Sequence, residues 1–286
     1  MISILIPCYN YDIVDLVKTL HRQLYITKRK FEIICAEDYS TNTFLNKNIK
    51  KLKNVKYIQL NKNIGRSKIR NYLAMKAKFQ WLLFIDCDSK VEHDKFIENY
   101  IEQTRNEKKI TYGETVYQKQ KPKKDKILHW KYGKKVESEK KKYIFSSHHF
   151  LIHKKAFNKI KFNVEIKNYG HEDTIFWIEL KKENYKFQFI KNPLTHTGLE
   201  TNEIFIKKTR EALKNLHFLN KKYDLKNISI IKTQKKISQF LLNDFILFFF
   251  NLTKKTILKN LLSSKPNIML FQFYKLGYYF EIIKDD

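Results

Sequence analysis

The amino-acid sequence predicts an α/β fold in which a mostly parallel sheet is followed by a helical C-terminal extension. Two observations support this fold class. Short, almost continuously apolar runs alternate with amphipathic segments up to about residue 200, and the pattern becomes broadly helical from Asn202 onward. Near-continuous apolar strands indicate a sheet that is covered on both faces. We therefore predict a catalytic-type domain over residues 1–201 and a helical extension over residues 202–286.

Four apolar runs in the first third of the chain are predicted strands: "ISILIPCYN", "FEIICAED", "VKYIQL" and "WLLFID". Between the first two, Val14, Val17, Leu20 and Leu24 recur at helical spacing. The segment "GRSKIRNYLAMKAK" contains a second predicted helix, which follows the glycine at its start. The sheet is predicted to resume at "FSSHHFLIHKKAF", a strand that enters a helix.

The cysteines and the apolar runs exclude several protein classes. Cys8, Cys35 and Cys87 lie in or beside apolar runs without C-x-x-C spacing, which predicts buried thiols in a reducing compartment. The N-terminal run is short and lacks the basic region and cleavage site of a secretory signal. No run approaches the ~20 apolar residues of a membrane span. We therefore expect a cytoplasmic protein.

The formal net charge of +28 comes from 57 Lys and Arg residues against 29 Asp and Glu residues. Such an excess attracts polyanions, including nucleotides, anionic membranes and nucleic acid. Lysine is abundant throughout, however, together with Ile, Asn, Phe and Tyr, so a compositional bias of the coding sequence explains the excess equally well. The net charge alone therefore does not identify a binding partner.

Two lysine-rich regions have open interpretations. Residues 119–142 hold eleven lysines and a local net charge of +8, which predicts a surface insertion. Its Trp130 and Tyr132 are expected either to stack on a sugar or base, or to anchor the insertion to a core. Beyond Asn202, the segment "ISQFLLNDFILFFFNLTKKTILKNLL" is too broadly apolar for a solvated helix. It is expected to pack on the catalytic domain, on another chain, or peripherally on an anionic membrane.

Polar residues follow the predicted strands at their carboxyl ends, namely Asn10, Glu37, Asp38, Asp86 and Asp88. In parallel sheets these ends meet at one edge, where ligands bind. Two acids spaced one residue apart repel each other unless a cation lies between them, and Mg²⁺ and Mn²⁺ prefer oxygen ligands together with substrate phosphates. The spacing therefore indicates a divalent-metal site, although acids at strand ends also cap helices.

The order of five motifs resembles glycosyltransferase family 2, the inverting nucleotide-sugar transferases with a GT-A, Rossmann-like fold. The resemblance covers roughly residues 1–200 and rests on "ISILIPCYN", "FEIICAEDYST", "NKNIGRSKIRN", "FIDCDS" and "NYGHEDTIF". The fourth is similar to the family's D-x-D metal motif, and the fifth to its late Glu-Asp motif. The sequence departs from the family pattern at Glu37, Tyr39 and residues 161–165.

The resemblance implies a role for each matching residue. It implies Asp173 as the catalytic base and Glu172 near the acceptor. It implies Asp88 as a metal ligand, Asp86 facing ribose or metal-bound water, and His196 on the metal or the diphosphate. The implied nucleotide-sugar contacts are Pro7, Tyr9, Glu37, Asp38, Gly65, Arg70 and Asp86. The implied acceptor or donor-sugar contacts are His171, His149 and Trp130.

The resemblance implies a metal-dependent transfer from a nucleotide-diphosphate sugar, with UDP as the expected nucleotide and Mn²⁺ or Mg²⁺ as the cofactor. The expected acceptor is a hydroxyl of a surface glycan or lipid-linked glycan, as in polysaccharide biosynthesis. The rivals are a polyanion-binding or nucleotide-binding protein without catalysis and a nucleotidyltransferase of related sheet architecture. Nucleic acid is not an expected partner, since acids at the sheet edge would repel it. A glycoside hydrolase would not need the nucleotide-binding set.

Overall fold

The computed structural model describes residues 1–42, 44–138, 145–166 and 168–286. The chain divides into two compact units. The first unit comprises Met1–Gln118, Val136–Lys167 and Glu172–Gly198, and the second comprises Lys119–Lys135, Asn168–His171 and Leu199–Asp286. The lysine-rich segment up to Lys135 is thus grouped with the C-terminal helices, and residues 139–142 of the predicted insertion lie outside the described residues.

The first unit is built on a mixed sheet of eight described strands. They are β1 (Ile2–Cys8), β2 (Phe31–Glu37), β3 (Val55–Gln59), β4 (Trp81–Ile85), β5 (Ser89–Lys90), β6 (Lys109–Tyr117), β7 (His149–His153) and β8 (Lys186–His196). Their order is β3-β2-β1-β4-β7-β6-β8-β5. The pairs β1–β2, β1–β4, β2–β3 and β6–β8 are parallel. Strand β7 runs antiparallel to both β4 and β6, and β5 runs antiparallel to β8. The predicted α/β fold is confirmed.

Helices and apolar side chains cover both faces of the sheet. The helices of the first unit are α1 (Val14–Ile26), α2 (Arg66–Lys76), α3 (Phe96–Ile101), α5 (Lys154–Lys159) and α6 (Glu172–Lys182). Successive strand residues point to opposite faces, so Ile4 and Ile6 of β1 pack with Leu20 of α1, while Leu5 packs with Leu73 of α2. Burial on both faces explains the almost continuously apolar strands.

The second unit is helical. Its helices are α4 (Ile127–Tyr132), α7 (Asn202–Asn220), α8 (Ser229–Gln239), α9 (Asn243–Leu262) and α10 (Ile268–Lys284). Leu128, Phe250 and Phe271 belong to one buried cluster that joins α4, α9 and α10. Tyr132 packs edge-on against Phe271, so this aromatic anchors its segment within the unit. Among the described helices, none is both long enough and apolar enough to cross a membrane.

Candidate active site

The loops after β1 and β2 are fastened to each other at the carboxyl edge of the sheet. The amide of Asp38 donates to the Cys8 carbonyl at 2.8 Å. Asn10 adopts a φ of 51°, in the left-handed region that asparagine tolerates, and its Oδ1 accepts from the amides of Thr41 (2.8 Å) and Asn42 (3.0 Å). The edge that the sequence predicts for ligand binding is therefore a set of mutually fixed loops.

Glu37 ends β2 and is buried, with its carboxylate fully engaged by neighbours. Its Oε2 accepts from the Tyr57 hydroxyl at 2.6 Å and from Asn46 Nδ2 at 3.2 Å, and Oε1 accepts from Ser40 Oγ. Burial and the Glu37 carboxylate together raise the pKa of Tyr57, so this hydroxyl stays a donor. Glu37 also lines a cleft of about 330 Å³ beside the strand end, together with Tyr39, Asn42, Asn46, Tyr57 and Gln59.

Asp38 is the residue that positions the start of α2. Its Oδ1 accepts from the amide of Ile64 at 2.7 Å and its Oδ2 from the amide of Gly65 at 3.0 Å. Gly65 has a φ of 83°, a conformation in which a side chain would be strained. The carboxylate at the end of one strand thus fixes the turn from which Arg66 and Arg70 project.

Asp86, the first acid of the D-x-D pair, is held by a buried arginine. Arg70 Nη2 lies 2.7 Å from Asp86 Oδ1, and its guanidinium lies 5.4 Å from the centre of the Phe162 ring. Arg70 is 3% exposed, and its Nε is a buried donor without a hydrogen-bond partner among the described residues. Burial raises the pKa of Asp86, and the Arg70 charge opposes that shift in part.

Asp88, the second acid, pairs with the histidine that ends the last long strand. His196 Nε2 lies 3.1 Å from Asp88 Oδ2. The amide and hydroxyl of Thr197 donate to the Asp88 carbonyl at 2.8 and 2.9 Å, so the two segments are joined by backbone as well. Burial acts to raise the pKa of Asp88, but the His196 contact outweighs it and the pKa is lowered. Asp88 is therefore an ionised carboxylate beside an imidazole.

The space beside Asp88 depends on a glycine. A Cβ at Gly198 would lie 2.3 Å from Asp88 Oδ2 and 2.8 Å from its Cβ. No side chain fits there without moving the carboxylate. Tyr11 reaches the same segment, since its hydroxyl lies 2.7 Å from Thr197 Oγ1. Asp88, His196, Thr197 and Gly198 form the most closely connected part of the site.

The late acidic motif lies at the start of a helix. Glu172 is the first residue of α6, is buried, and lies 3.6 Å from Arg66 through Oε1 and Nη1. Asp173 is partly exposed, and its Oδ1 accepts from the amide of Thr174 at 2.7 Å. The Arg66 charge also acts to lower the pKa of both Asp86 and Asp88. Arg66 is therefore the residue that relates the two acidic motifs electrostatically.

The remaining predicted residues lie in several different parts of the chain. His149 is 1% exposed, with Nδ1 on the Tyr100 hydroxyl (2.7 Å) and Nε2 on the Glu114 carbonyl (3.2 Å), so its ring has no face for a sugar. His171, with a φ of 69°, and Trp130, with Lys134 4.8 Å from its ring, belong to the second unit. Pro7 lies in β1, and Tyr9 just beyond it is half exposed.

Four site residues were missed by sequence reasoning: Arg66, Tyr11, Thr197 and Gly198. Each stands next to a motif that the sequence does reveal, because Arg66 follows Gly65 and Thr197 follows His196. Adjacency could have suggested them, but side-chain direction could not be read. Among the described residues, no group of three or more His, Cys, Asp or Glu side chains that could hold a metal ion occurs. Asp88 and His196 are two such side chains within hydrogen-bond distance of each other.

Comparisons with known proteins agree with this geometry. The family model described as glycosyl transferase family 2 matches residues 3–163. A poly(ribitol-phosphate) beta-glucosyltransferase of Bacillus spizizenii is 34% identical over 118 residues, which are 39% of this chain and only 18% of that enzyme. The match thus covers less than a fifth of the length of this relative.

Two solved structures share the fold at low identity. A mannosyltransferase, PcManGT from Pyrobaculum calidifontis in complex with GDP-Man and Mn²⁺, has a TM-score of 0.58 at 9% identity, over 99% of this chain and 86% of that one. GalNAc-T7 with UDP, GalNAc and Mn²⁺ has a TM-score of 0.54 at 16% identity, over 70% of this chain and 43% of that one. Because the family model spans more than half of the chain, the chain belongs to glycosyltransferase family 2.

Proposed function

We propose that this protein is an inverting glycosyltransferase that moves a sugar from a nucleotide-diphosphate donor to a hydroxyl of a glycan or lipid-linked acceptor. The observation that carries the proposal is the pairing of Asp88 with His196 at the sheet edge where Asp38 and Arg70 also lie. We take UDP as the nucleotide. The solved relatives above carry UDP in one case and GDP-Man in the other, so the test below includes both bases.

The side chains of this edge fit a divalent cation. Asp88 Oδ2 and His196 Nε2 lie 3.1 Å apart, which suits two neighbouring ligands of an octahedral ion with bonds of about 2.1 Å. One carboxylate and one imidazole leave positions for diphosphate oxygens and water, the usual arrangement for Mg²⁺ or Mn²⁺ at phosphate sites. When bound, the cation would offset the negative charge of the departing nucleoside diphosphate. Asp86, held by Arg70, would face the ribose or a water of that cation.

The nucleoside half of the donor is assigned to the ends of β1 and β2. Asp38 already accepts two backbone hydrogen bonds, but each carboxylate oxygen has a second lone pair that could accept from a base N–H. Pro7, Tyr9 and Gly65 would line the same side, while Glu37 stabilises the loop from beneath through Tyr57 and Asn46. In this proposal Glu37 shapes the pocket and Asp38 makes the polar contact.

Asp173 is assigned the role of general base. Its carboxylate would take the proton of the acceptor hydroxyl as that oxygen attacks the anomeric carbon, while the bond from that carbon to the diphosphate oxygen breaks on the opposite face. The configuration is therefore inverted in a single displacement. Glu172 would be held near the acceptor by Arg66, 3.6 Å away. The amide of Thr174, at the start of the same helix, donates to Asp173 Oδ1 and orients the carboxylate.

Calorimetric titration with UDP and with GDP, each with and without Mn²⁺, tests the donor and metal assignments. UDP should bind in a Mn²⁺-dependent manner, and Asp88→Ala should abolish that dependence. Asp94→Ala is the matched control, because Asp94 is 89% exposed and forms a surface ion pair with Arg22. Binding that is equally tight in Asp88→Ala with Mn²⁺ present would reject the metal site. A screen of UDP-sugar and GDP-sugar hydrolysis would then identify the donor.

A further inference from the structure

The second unit exposes a continuous apolar patch at the junction of α8 and α9. It consists of seven side chains that are between 42% and 89% exposed: Phe240, Leu241, Leu242, Phe245, Phe248, Phe249 and Leu252. Three of them, Phe245, Phe248 and Leu252, follow one another at spacings of three and four residues, so they lie along one face of α9, and Leu241 lies in the turn just before that helix. We name these seven residues the aromatic tip.

The aromatic tip is not the face with which α9 packs in its own unit. Leu247, Phe250, Ile257 and Leu261 are the buried residues of α9, and the last three join Phe271 of α10 in the helical core. That packing is close, since a Cβ at Gly277 would lie 2.3 Å from the Phe250 ring. The helix is thus already anchored by one face. Its other face presents Phe rings that pack against each other, as Phe245 does against Phe249 with ring centres 4.7 Å apart.

Lysines border the aromatic tip on both sides. Lys232, Lys235 and Lys236 are exposed on α8 just before it, and Lys255 and Lys259 continue the exposed face of α9 just after it. From residue 229 to residue 262 the chain holds six lysines and one acid, Asp244, a net charge of +5. Large exposed apolar patches rimmed by polar groups mark interaction sites. A rim of this charge selects an anionic partner.

We propose that the aromatic tip and its lysines dock on the surface of an anionic lipid bilayer. Phe and Leu side chains would enter the boundary between head groups and acyl chains, while the lysine stems extend along it and their ammonium groups meet lipid phosphates. A second copy of this chain fits less well, because it would bring a second lysine-rich rim against the first in a protein of net charge +28. The proposal does not depend on the transfer chemistry assigned above.

The test is co-sedimentation of the full chain with vesicles of phosphatidylglycerol and phosphatidylcholine in equal parts, compared with pure phosphatidylcholine vesicles. The wild-type chain should sediment with the anionic vesicles, less so at high salt. The triple variant Leu241→Ser, Phe245→Ser, Phe248→Ser should raise the vesicle dissociation constant about tenfold or more, since three large apolar side chains lose their insertion. Tyr25→Ser, Ile26→Ser, Met75→Ser is the matched control, because these residues are equally exposed in the first unit.

A second pair of variants tests the charges separately. Lys232→Gln, Lys235→Gln, Lys236→Gln should weaken binding to anionic vesicles and flatten its salt dependence, whereas Lys28→Gln, Lys30→Gln, Lys95→Gln, equal in charge change and exposed in the first unit, should not. Circular dichroism melting checks that the variants are folded. Failure of the wild type to sediment, or equal binding by both triple-serine variants, would overturn the proposal. So would a lipid-free dimer in sedimentation velocity that the aromatic-tip variant dissociates.

Discussion

Arg66 Nη1 lies 3.6 Å from Glu172 Oε1, so the first residue of α2 contacts the first residue of α6. Arg66 directly follows Gly65, whose amide is held by Asp38 at the end of β2. The contact therefore joins elements that are more than a hundred residues apart in sequence. The positive charge of Arg66 also acts to lower the pKa of Asp86 and Asp88. One side chain therefore affects both the orientation of Glu172 and the ionisation of the D-x-D pair.

Replacing Arg66 by alanine should lower the rate of sugar transfer without unfolding the protein. Arg66 is a positioning residue in the proposed mechanism, and small displacements of catalytic groups cost about tenfold to a hundredfold in rate. The effect should appear mainly in kcat, because the residues assigned to the donor remain. Because the Arg66 side chain is 56% exposed, its coupling to Glu172 in a double-mutant cycle of unfolding should be only about 0.5–1 kcal/mol.

Arg22→Ala is the control for Arg66→Ala, since Arg22 is 65% exposed and pairs with Asp94 on the surface. It should leave transfer unchanged. Arg66→Lys should restore part of the rate if the charge near Asp86 and Asp88 matters, because lysine keeps the charge but not the fork of donors. Wild-type kinetics in Arg66→Ala would show that the contact with Glu172 has no functional role.

Asp173→Asn should reduce transfer by about a hundredfold to ten-thousandfold, the usual contribution of a positioned general base. The amide keeps the size of the side chain and can still accept from the Thr174 amide, but it cannot take a proton. UDP affinity measured by calorimetry should be unchanged. Asp94→Asn is the exposed control. Residual turnover near the wild-type rate would exclude Asp173 as the base.

The sequence predicted where strands end but not which side chains those ends expose. The parallel strands β1, β2 and β4 were readable because each is an almost continuous apolar run followed by a polar residue. His149 shows the limit. It stands at the start of β7, where a ligand contact was expected, yet Tyr100 and Gly113 enclose its ring. Those neighbours are 49 and 36 positions away along the chain, so no local sequence pattern around His149 predicts the contacts.

Arg66 and Gly198 were missed for a related reason. In "GRSKIRN" the glycine indicated a turn and Arg70 matched a family motif, so Arg66 had only its position to distinguish it. The need for glycine at position 198 comes from the Asp88 carboxylate, which approaches across the sheet. In the helical unit, "DFILFFFNL" revealed an apolar helix, but which of its faces is buried against α10 depends on packing.

His196→Ala should weaken Mn²⁺-dependent UDP binding, because the proposed cation would lose its nitrogen ligand. Wild-type protein in EDTA should show the same loss, and EDTA should have no additional effect on the variant. His21→Ala is the control, since His21 Nε2 forms a hydrogen bond with the Lys53 carbonyl at 3.0 Å and touches none of the residues assigned to the metal. If His196→Ala keeps Mn²⁺-dependent binding, the histidine contacts the diphosphate or orients Asp88 instead of holding the ion.

Gly198→Ala should disrupt the metal pair by steric contact, because its methyl group would lie 2.3 Å from Asp88 Oδ2. Gly277→Ala is a control of matched severity, since its methyl group would lie 2.3 Å from the Phe250 ring in the helical unit. Both variants should lose about 1–3 kcal/mol of stability by overpacking, measured by urea unfolding. Only Gly198→Ala should also lose Mn²⁺-dependent UDP affinity. Equal UDP affinity in the two variants would show that the position of Asp88 does not control donor binding.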